Sequence, residues 1–248
     1  MHKTGFIVSK DRNLDILLVE DEPDLGLVLS QYLRFKDLQV SWSPSAGMAL
    51  EEFNRNAFQL VVIDIQLPDM NGFELARQIR KNNPAQAFIF LTALQEKDDR
   101  MTGLELGAID YIGKPFDMEE FILKVKNFLK VRNDVAAETT TAEPIAIGKI
   151  TFMKERMTLS LSSGQQNKLT VRETEILDLL IRNKNQLVLK KDILLQFWGD
   201  TDYFNGKSLE VFISRIRKLL KHEKNIRIDS VYGAGYLFVY EEDGNGNS

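Results

Sequence analysis

Short apolar runs and amphipathic segments alternate over the first half of the chain. The apolar runs have the length and composition of buried strands, and they are Asp15–Val19, Gln39–Trp42, Leu60–Ile65, Ala87–Leu91 and Asp110–Ile112. The segments between them repeat apolar residues at helical spacing, and they are Asp24–Phe35, Ser45–Asn54, Asn71–Lys81, Lys97–Leu106 and Met118–Val131. Successive βα units predict a parallel sheet wrapped by helices over residues 14–132.

The second half carries a different pattern. Residues 133–144 hold no large apolar side chain after Val135, so we interpret them as a linker. The strand-like segments beyond it are Ile145–Phe152, Thr158–Leu161, Arg227–Val231 and Tyr236–Tyr240, and the helical ones are Arg172–Asn183, Lys190–Phe197 and Lys207–Lys221. Three helices before a terminal hairpin predict an α+β winged helix-turn-helix domain over 145–240. We expect a flexible extension at 1–13 and an acidic, glycine-rich tail at 241–248.

Composition excludes several kinds of site. The chain has no cysteine, so disulfides, thiolate nucleophiles and cysteine zinc sites are excluded. Its two histidines, His2 and His222, are far apart in sequence and give little material for a histidine metal site or a Ser-His-Asp triad. The apolar runs fall well short of the roughly 20 residues that span a bilayer. We therefore expect no membrane segment, no signal peptide and a cytoplasmic location.

The net charge of −4 hides a division between the two halves. Residues 1–144 carry 16 basic and 23 acidic side chains, whereas residues 145–248 carry 16 basic and 13 acidic ones. Without the acidic run Glu241–Asp243, the second half has a net charge of +6. Because a phosphate backbone responds to local charge, the second half remains compatible with nucleic-acid binding.

Acidic residues fall at the ends of two predicted strands. Glu20 and Asp21 directly follow the first apolar run, and Asp64 lies at the end of the third. Because the ligand site of an open α/β sheet lies outside the carboxyl ends of its strands, we expect these side chains to converge, together with Thr92 and Lys114. Three carboxylates beside a hydroxyl and an ammonium group favour Mg²⁺ and phosphoryl transfer to a carboxylate.

Two alternative roles for the acidic residues stay open at this point. The run Glu20–Glu22 can supply first-turn charges to a helix that begins at Pro23, since acidic residues and proline both favour that position. The carboxylates can also belong to a Mg²⁺-dependent phosphohydrolase of small substrates. The sequence shows no cap domain for such an enzyme, and the winged helix would have no role in it.

Four blocks of the first half resemble those of two-component receiver domains. They are Ile16–Glu22, Val62–Gly72, Leu91–Ala93 and Asp110–Phe116, and they occur in the family's order within residues 14–132. The resemblance implies a flavodoxin-like, doubly wound (βα)5 domain that takes a phosphoryl group on Asp64 from a sensor histidine kinase. It implies no enzymatic activity beyond the domain's own phosphorylation and dephosphorylation.

The same resemblance implies roles for individual residues. The Mg²⁺ ligands are Glu20, Asp21, Asp64 and the backbone carbonyl of Gln66. Lys114 pairs with the phosphoryl group, and the peptide bond between Lys114 and Pro115 matches the family's cis bond. Thr92 and Tyr111 match the switch pair, in which the hydroxyl moves to the phosphoryl oxygen and the aromatic ring turns inward. Ordinary core packing is the alternative role of Tyr111.

The segment Lys207–Leu220 combines a buried stripe with a basic one. Such a helix can enter the major groove, although a solvated basic helix is the commoner meaning of this charge pattern. Together with Leu169–Glu175, Phe197–Gly199 and Val231–Tyr236, the segment resembles the winged-helix domain of the OmpR/PhoB family. The implied partners are double-stranded DNA, in the form of promoter direct repeats, and RNA polymerase.

The resemblance also indicates which residues meet the DNA. They are Arg215, Arg217 and Lys218 on the helix, Ser208 and Val211 near base edges, Lys207 and Trp198 on phosphates, and Tyr232 in the wing. Two positions depart from the family pattern. Phe212 stands where many members have histidine, and Tyr232 stands where many have a minor-groove arginine.

Residues Asp98–Val131 resemble the face through which this family forms a symmetric homodimer on phosphorylation. The implied salt bridges between subunits are Arg100–Glu120, Asp110–Lys124 and Glu105–Lys126. A solvated amphipathic face is the alternative. Ile109 and Val131 are apolar where the family has a charged pair, so we expect a hydrophobic contact there. A constitutive DNA-binding protein whose receiver only dimerises also remains open.

Overall fold

The computed structural model describes residues 13–93, 103, 106–138, 143–201 and 203–242. In its first part, parallel strands form one sheet in the order β2-β1-β3-β4-β5. The strands are β1 (Asn13–Val19), β2 (Val40–Ser43), β3 (Ala57–Asp64), β4 (Ala87–Thr92) and β5 (Asp110–Gly113). The helices are α1 (Pro23–Phe35), α2 (Ala46–Arg55), α3 (Gly72–Asn82) and α4 (Met118–Glu138). Most of the predicted helix Lys97–Leu106 lies outside the described residues.

Alternating apolar residues cover both faces of this sheet. On β1, Leu17 and Val19 pack with α2 and α3, while Ile16 and Leu18 pack with α1 and α4. A strand that is apolar on both sides needs helices on both sides, because neither face can be left to solvent. The flavodoxin-like doubly wound domain predicted from the sequence is confirmed.

Helix α4 is longer than its apolar pattern predicts. It runs to Glu138 and so includes the first six residues of the predicted linker, 133–138. Ala136, Ala137 and Glu138 are strong helix formers, and a helix needs no apolar side chain to continue by a turn. Among the described helices, none is long and apolar enough to cross a membrane.

The second part contains two antiparallel sheets around three helices. The first sheet consists of β6 (Ile145–Ile147), β7 (Ile150–Met153), β8 (Thr158–Ser160) and β9 (Gln166–Lys168). The later elements are α5 (Val171–Arg182), β10 (Leu187–Leu189), α6 (Lys190–Trp198), α7 (Tyr203–Leu220), β11 (Ile226–Val231) and β12 (Gly235–Tyr240), with the second sheet in the order β10-β12-β11. The winged helix-turn-helix is confirmed. The sequence pattern missed β9, because its residues are polar, and β10, because three residues are too few to show an alternation.

Helix α7 is held by a continuous apolar face. Leu209, Phe212, Ile213 and Ile216 are buried, and the Phe212 ring lies 6.2 Å from that of Trp198 on α6. Burying such side chains stabilises the fold by about 1.5–3 kcal/mol each. Phe212, which departs from the family pattern, therefore belongs to the core.

Candidate functional site

The predicted carboxylate cluster forms where the strand order reverses, between β1 and β3. Glu20 and Asp21 follow β1, and Asp64 is the last residue of β3. One carboxylate oxygen from each of the three residues lies within 4.8 Å of the others. Parallel strands place their carboxyl ends at one edge of the sheet, and a reversal in strand order opens a crevice there.

Lys114, directly after β5, joins two members of this cluster. Its Nζ donates to Oε1 and Oε2 of Glu20 at 2.9 and 2.8 Å and to Oδ2 of Asp64 at 2.5 Å. The other oxygen of Asp64 accepts a hydrogen bond from the backbone N–H of Gln66 at 2.9 Å. Both oxygens of Asp64 are therefore fixed by donors.

Burial and charge act in opposite directions in this cluster. Burial raises the pKa of Glu20 above its usual value, and together with the nearby Asp64 it outweighs the hydrogen bond from Lys114. For Lys114 itself, burial disfavours the charged form, but hydrogen bonds to Asp64 and Glu20 outweigh it and raise the pKa. The charged form of Lys114 is therefore favoured beside the carboxylates of Glu20 and Asp64.

The donor set fits a divalent cation. Carboxylate oxygens are the ligands that Mg²⁺ prefers, and three of them close together carry more negative charge than one lysine neutralises. Glu20 and Asp64 are buried, whereas Asp21 is partly exposed and opens the cluster to solvent. Glu20, Asp21 and Asp64 are the residues that can hold the ion.

Thr92 ends β4, the strand between Asp64 and Lys114, and Tyr111 lies on β5, which leads to Lys114. The carbonyl of Thr92, at the end of β4, accepts a hydrogen bond from the Lys114 backbone N–H at 2.6 Å. The Tyr111 ring is buried, 5.3 Å from the Phe90 ring. Its hydroxyl packs so closely on Gly103 that no side chain would fit there. The cis peptide bond between Lys114 and Pro115 is confirmed.

Two residues that the sequence did not indicate help to shape this region. The carboxylate of Asp69 accepts hydrogen bonds from Ala46 N–H at 3.0 Å and Gly47 N–H at 2.8 Å, at the start of α2. The indole of Trp42 donates to the backbone carbonyl of Glu20 at 2.9 Å. Both contacts join segments more than 20 residues apart, so no local spacing could reveal them.

The expected dimer-face residues have mixed placements. Asp110 and Lys124 form their ion pair within one chain, at 3.0 Å, and Glu120 lies 3.9 Å from the same lysine. Lys126 is exposed, and Arg100 and Glu105 lie outside the described residues. Ile109 is 1% exposed and packs in the receiver core, so its side chain is not available for the expected contact between subunits.

The second part presents an open groove of about 650 Å³ along α7. Its lining residues are Lys168, Glu173, Lys207, Glu210, Val211, Ser214, Arg215, Lys218 and Leu219. Four of these are basic and two are acidic. Glu210 binds Lys207 at 2.8 Å and Lys190 at 3.1 Å, so part of the basic charge is neutralised by the protein itself.

Arg215 is tied to the start of α5. Its Nε lies 2.8 Å from Oε1 of Glu173, while Oε2 of Glu173 accepts the backbone N–H of Thr170 at 2.7 Å. The Thr170 hydroxyl in turn accepts the Glu173 N–H, which completes a capping box. One glutamate therefore caps α5 and orients an arginine of α7.

Three of the expected DNA contacts are engaged or buried within the protein. Arg217 donates from Nε to the Ile228 carbonyl at 2.8 Å and from Nη2 to the Ser230 hydroxyl at 2.9 Å, and so fastens α7 to β11. Ser208 and Trp198 are buried, so the structure does not place them at a DNA-accessible surface. Tyr232, at the tip of the β11–β12 hairpin, is fully exposed.

Comparison with known proteins accounts for both parts. Residues 16–126 match the family described as response regulator receiver domain, and residues 164–238 match that described as transcriptional regulatory protein, C terminal. The transcriptional regulatory protein RprY of Bacteroides fragilis is 35% identical over 237 residues, which cover 95% of this chain and 99% of RprY. The response regulator ArlR of Staphylococcus saprophyticus is 32% identical and covers 90% and 97%.

A solved structure shows the same fold. A mutant of RitR superimposes with a TM-score of 0.71 at 22% identity and covers 94% of this chain and 100% of its own. DrrB of Thermotoga maritima, described as an OmpR/PhoB homolog, is 28% identical with a TM-score of 0.49. With both domain families matched in order and a relative similar over nearly its whole length, the chain belongs to the response regulators that join a receiver domain to a transcriptional regulatory C-terminal domain.

Proposed function

We propose that the chain is a phosphorylation-controlled transcription factor of a two-component system. A sensor histidine kinase phosphorylates Asp64 in the receiver domain, 14–132, and the winged-helix domain, 145–240, binds promoter DNA in the cytoplasm. The observation that carries the proposal is the position of Asp64, which lies within 4.8 Å of Glu20 and Asp21 and within hydrogen-bonding distance of Lys114.

The transfer step follows from these groups. An oxygen of Asp64 attacks the phosphorus of a phosphohistidine, the new O–P bond forms as the P–N bond breaks, and solvent returns a proton to the imidazole. The carboxylates of Glu20, Asp21 and Asp64 and the carbonyl of Gln66 would hold Mg²⁺, which would neutralise charge on the phosphoryl group. Lys114 exchanges a carboxylate partner for a phosphoryl oxygen, and the hydroxyl of Thr92 binds another. The only catalysis is the domain's own phosphorylation and dephosphorylation.

The switch pair Thr92 and Tyr111 and a homodimer couple phosphorylation of the receiver domain to DNA binding. When the Thr92 hydroxyl engages the phosphoryl group, the buried ring of Tyr111 locks against Gly103 and stabilises the dimerising conformation. The dimer face includes α4, where Leu123 is 63% exposed between Glu120 and Lys126. An exposed leucine flanked by opposite charges suits a symmetric contact, since each subunit offers both signs.

The groove along α7 is the proposed DNA surface. Lys207 and Lys218 are exposed and reach phosphates, and Val211 lies between them near base edges. Arg215 either keeps its ion pair with Glu173 or exchanges it for a contact with the DNA. Tyr232 contacts the backbone from the wing. Arg217, which is bound to β11, and the buried Ser208 and Trp198 support this surface. Two such domains on a direct repeat recruit or block RNA polymerase.

The test treats the full chain with acetyl phosphate and Mg²⁺. Intact mass spectrometry should show one added phosphoryl group in wild type and in the control Asp24→Asn, and none in Asp64→Asn. Light scattering and gel shift on the same samples should show dimer formation and tighter DNA binding only where the group is added. DNA binding and mass that are unaffected by the phosphodonor would instead indicate a constitutive DNA-binding protein.

A further inference from the structure

Strand β2 reaches the carboxylate cluster through its last two residues. In the parallel ladder, Trp42 lies opposite Leu18 and Ser43 lies opposite Val19. The final rung is a hydrogen bond from the Glu20 N–H to the Ser43 carbonyl at 3.2 Å. The ladder ends there, because β1 turns into the loop that carries Glu20 and Asp21.

Trp42 continues the attachment by one hydrogen bond beyond the ladder. Its indole Nε1–H donates to the carbonyl of Glu20 at 2.9 Å. That carbonyl belongs to the peptide unit that joins Glu20 to Asp21, so one contact fixes the backbone from which two carboxylates extend. Glu20 is thus held by β2 through both its N–H and its carbonyl.

The indole ring of Trp42 packs against the backbone of a glycine in helix α1. Gly26, in the first turn of α1, is buried, and a Cβ there would overlap the ring of Trp42. A glycine at this point lets the flat ring lie directly on the helix backbone. Since the ring is confined by α1 and hydrogen bonded to the loop, it links the start of α1 to the cluster.

We propose that Trp42 is a positioning residue for the Mg²⁺ site, setting through the Glu20–Asp21 peptide where these two carboxylates meet Asp64. The inference rests on the proposed function, since it assumes that the cluster binds Mg²⁺ for phosphorylation. Trp42 touches no reacting atom and acts through the backbone. Groups that orient metal ligands in this way typically change metal affinity when they are removed.

The first test uses the full chain and Mg²⁺ alone, measured by isothermal titration calorimetry. Trp42→Phe keeps an aromatic ring and removes the donor, and we expect the Kd for Mg²⁺ to rise about tenfold. The matched control is Trp198→Phe, the chain's second tryptophan, which lies on α6 and should leave the Kd unchanged. Equal Kd values in Trp42→Phe and wild type overturn the inference.

A second measurement does not depend on the folding of Trp42→Phe. In Trp198→Phe the only indole is that of Trp42, so its fluorescence and its indole N–H resonance report on one contact. Both signals should shift as Mg²⁺ is added, and the midpoint of the shift should agree with the Kd measured by calorimetry. An indole signal that stays constant at saturating Mg²⁺ overturns the inference, because a positioning contact must sense the ion.

The outcomes separate this inference from the proposed function. A wild-type chain that neither binds Mg²⁺ nor takes up a phosphoryl group overturns both. A chain that is phosphorylated on Asp64, but whose Trp42→Phe variant has wild-type Mg²⁺ affinity and only a lower free energy of unfolding in urea, overturns this inference alone. In that case Trp42 is an ordinary packing residue.

Discussion

Nζ of Lys114 lies 2.5 Å from Oδ2 of Asp64. The same ammonium group lies 2.8 Å from Oε2 of Glu20, whose side chain is completely buried. Two carboxylates at the edge of a sheet repel each other, and desolvation adds to the cost of keeping both charged. When no ion is bound, the positive charge of Lys114 offsets that cost. A bound Mg²⁺ would offset it in the same way.

Lys114→Gln should therefore make the folded chain depend on Mg²⁺. Removing one partner of a buried ion pair typically costs about 3–5 kcal/mol, so we expect a loss of roughly that size in metal-free buffer. Mg²⁺ should restore most of it, as measured by urea unfolding with EDTA or with the ion. The control Lys124→Gln breaks the pair with Asp110, away from the cluster, and Mg²⁺ should not rescue it. Equal rescue of both variants contradicts the prediction.

Asp69 should stabilise the fold in a pH-dependent way. Burial acts to raise the pKa of Asp69, but hydrogen bonds from Gly47 and Ala46 outweigh it and lower the pKa below its usual value. A lowered pKa gives stability that is present above the unfolded value and lost as the pH falls through the folded one. As with helix caps, Asp69→Ala should lower the free energy of unfolding by about 1 kcal/mol at neutral pH. The difference should shrink as the pH falls through the lowered pKa of the folded chain.

The measurement for Asp69 is urea unfolding of wild type and variant from neutral pH down to the acid range in which the carboxylate titrates. Glu51→Ala, on the exposed face of the same helix, is the control. Its only described ion pair, with Arg55 at 3.6 Å, is solvent-exposed and worth about 0–1 kcal/mol. The capping role is ruled out if the difference in the free energy of unfolding between wild type and Asp69→Ala is the same at acidic and at neutral pH.

Glu210→Gln should strengthen non-specific DNA binding. The glutamate neutralises Lys207 and Lys190 beside the groove, and its removal frees positive charge for phosphates. Each phosphate neutralised adds about 0.9 to the slope of log affinity against log salt, so the slope should steepen by about one. Fluorescence anisotropy with a duplex at several salt concentrations measures it. Exposed Glu242→Gln is the control, and an identical slope in the two variants refutes the prediction.

Arg217→Lys should act mainly on stability, by lowering the free energy of unfolding, and less on DNA affinity. The guanidinium binds the carbonyl of Ile228 and the hydroxyl of Ser230 together, and an ammonium group cannot reproduce that fork. We expect a loss of about 1–3 kcal/mol in the free energy of unfolding. The neighbour Lys218→Gln should reduce DNA affinity without that loss. If Arg217→Lys keeps wild-type stability and loses only affinity, the arginine acts on DNA directly.

The carboxylate cluster could be predicted from sequence because its geometry follows from strand order. Glu20, Asp21 and Asp64 each sit at the end of an apolar run, and parallel strands must place such ends together. Lys114 followed from the same rule. Whether Ile109 lies in the core or at the dimer face could not be predicted this way, because an apolar residue beside a strand fits both places equally well. In the structure Ile109 is buried in the core.

On α7, periodicity predicted the buried stripe but not the direction of every polar side chain. Leu209, Ile213 and Ile216 recur at helical spacing and are buried as predicted. Arg217 lies between the buried and exposed faces, and a long side chain there can turn either way. Its guanidinium points to β11 because a carbonyl and a hydroxyl of that strand lie within reach.

The sequence by itself determined the two folds, the order of their elements and the acids at the strand ends, because periodicity and residue type act locally along the chain. Only the tertiary structure decided which side chains support these groups. Trp42 reaches Glu20 and Asp69 reaches the start of α2 because packing brings distant segments to within 3.0 Å. Hydrogen bonds of this kind depend on orientation in three dimensions, and no spacing in the sequence encodes it.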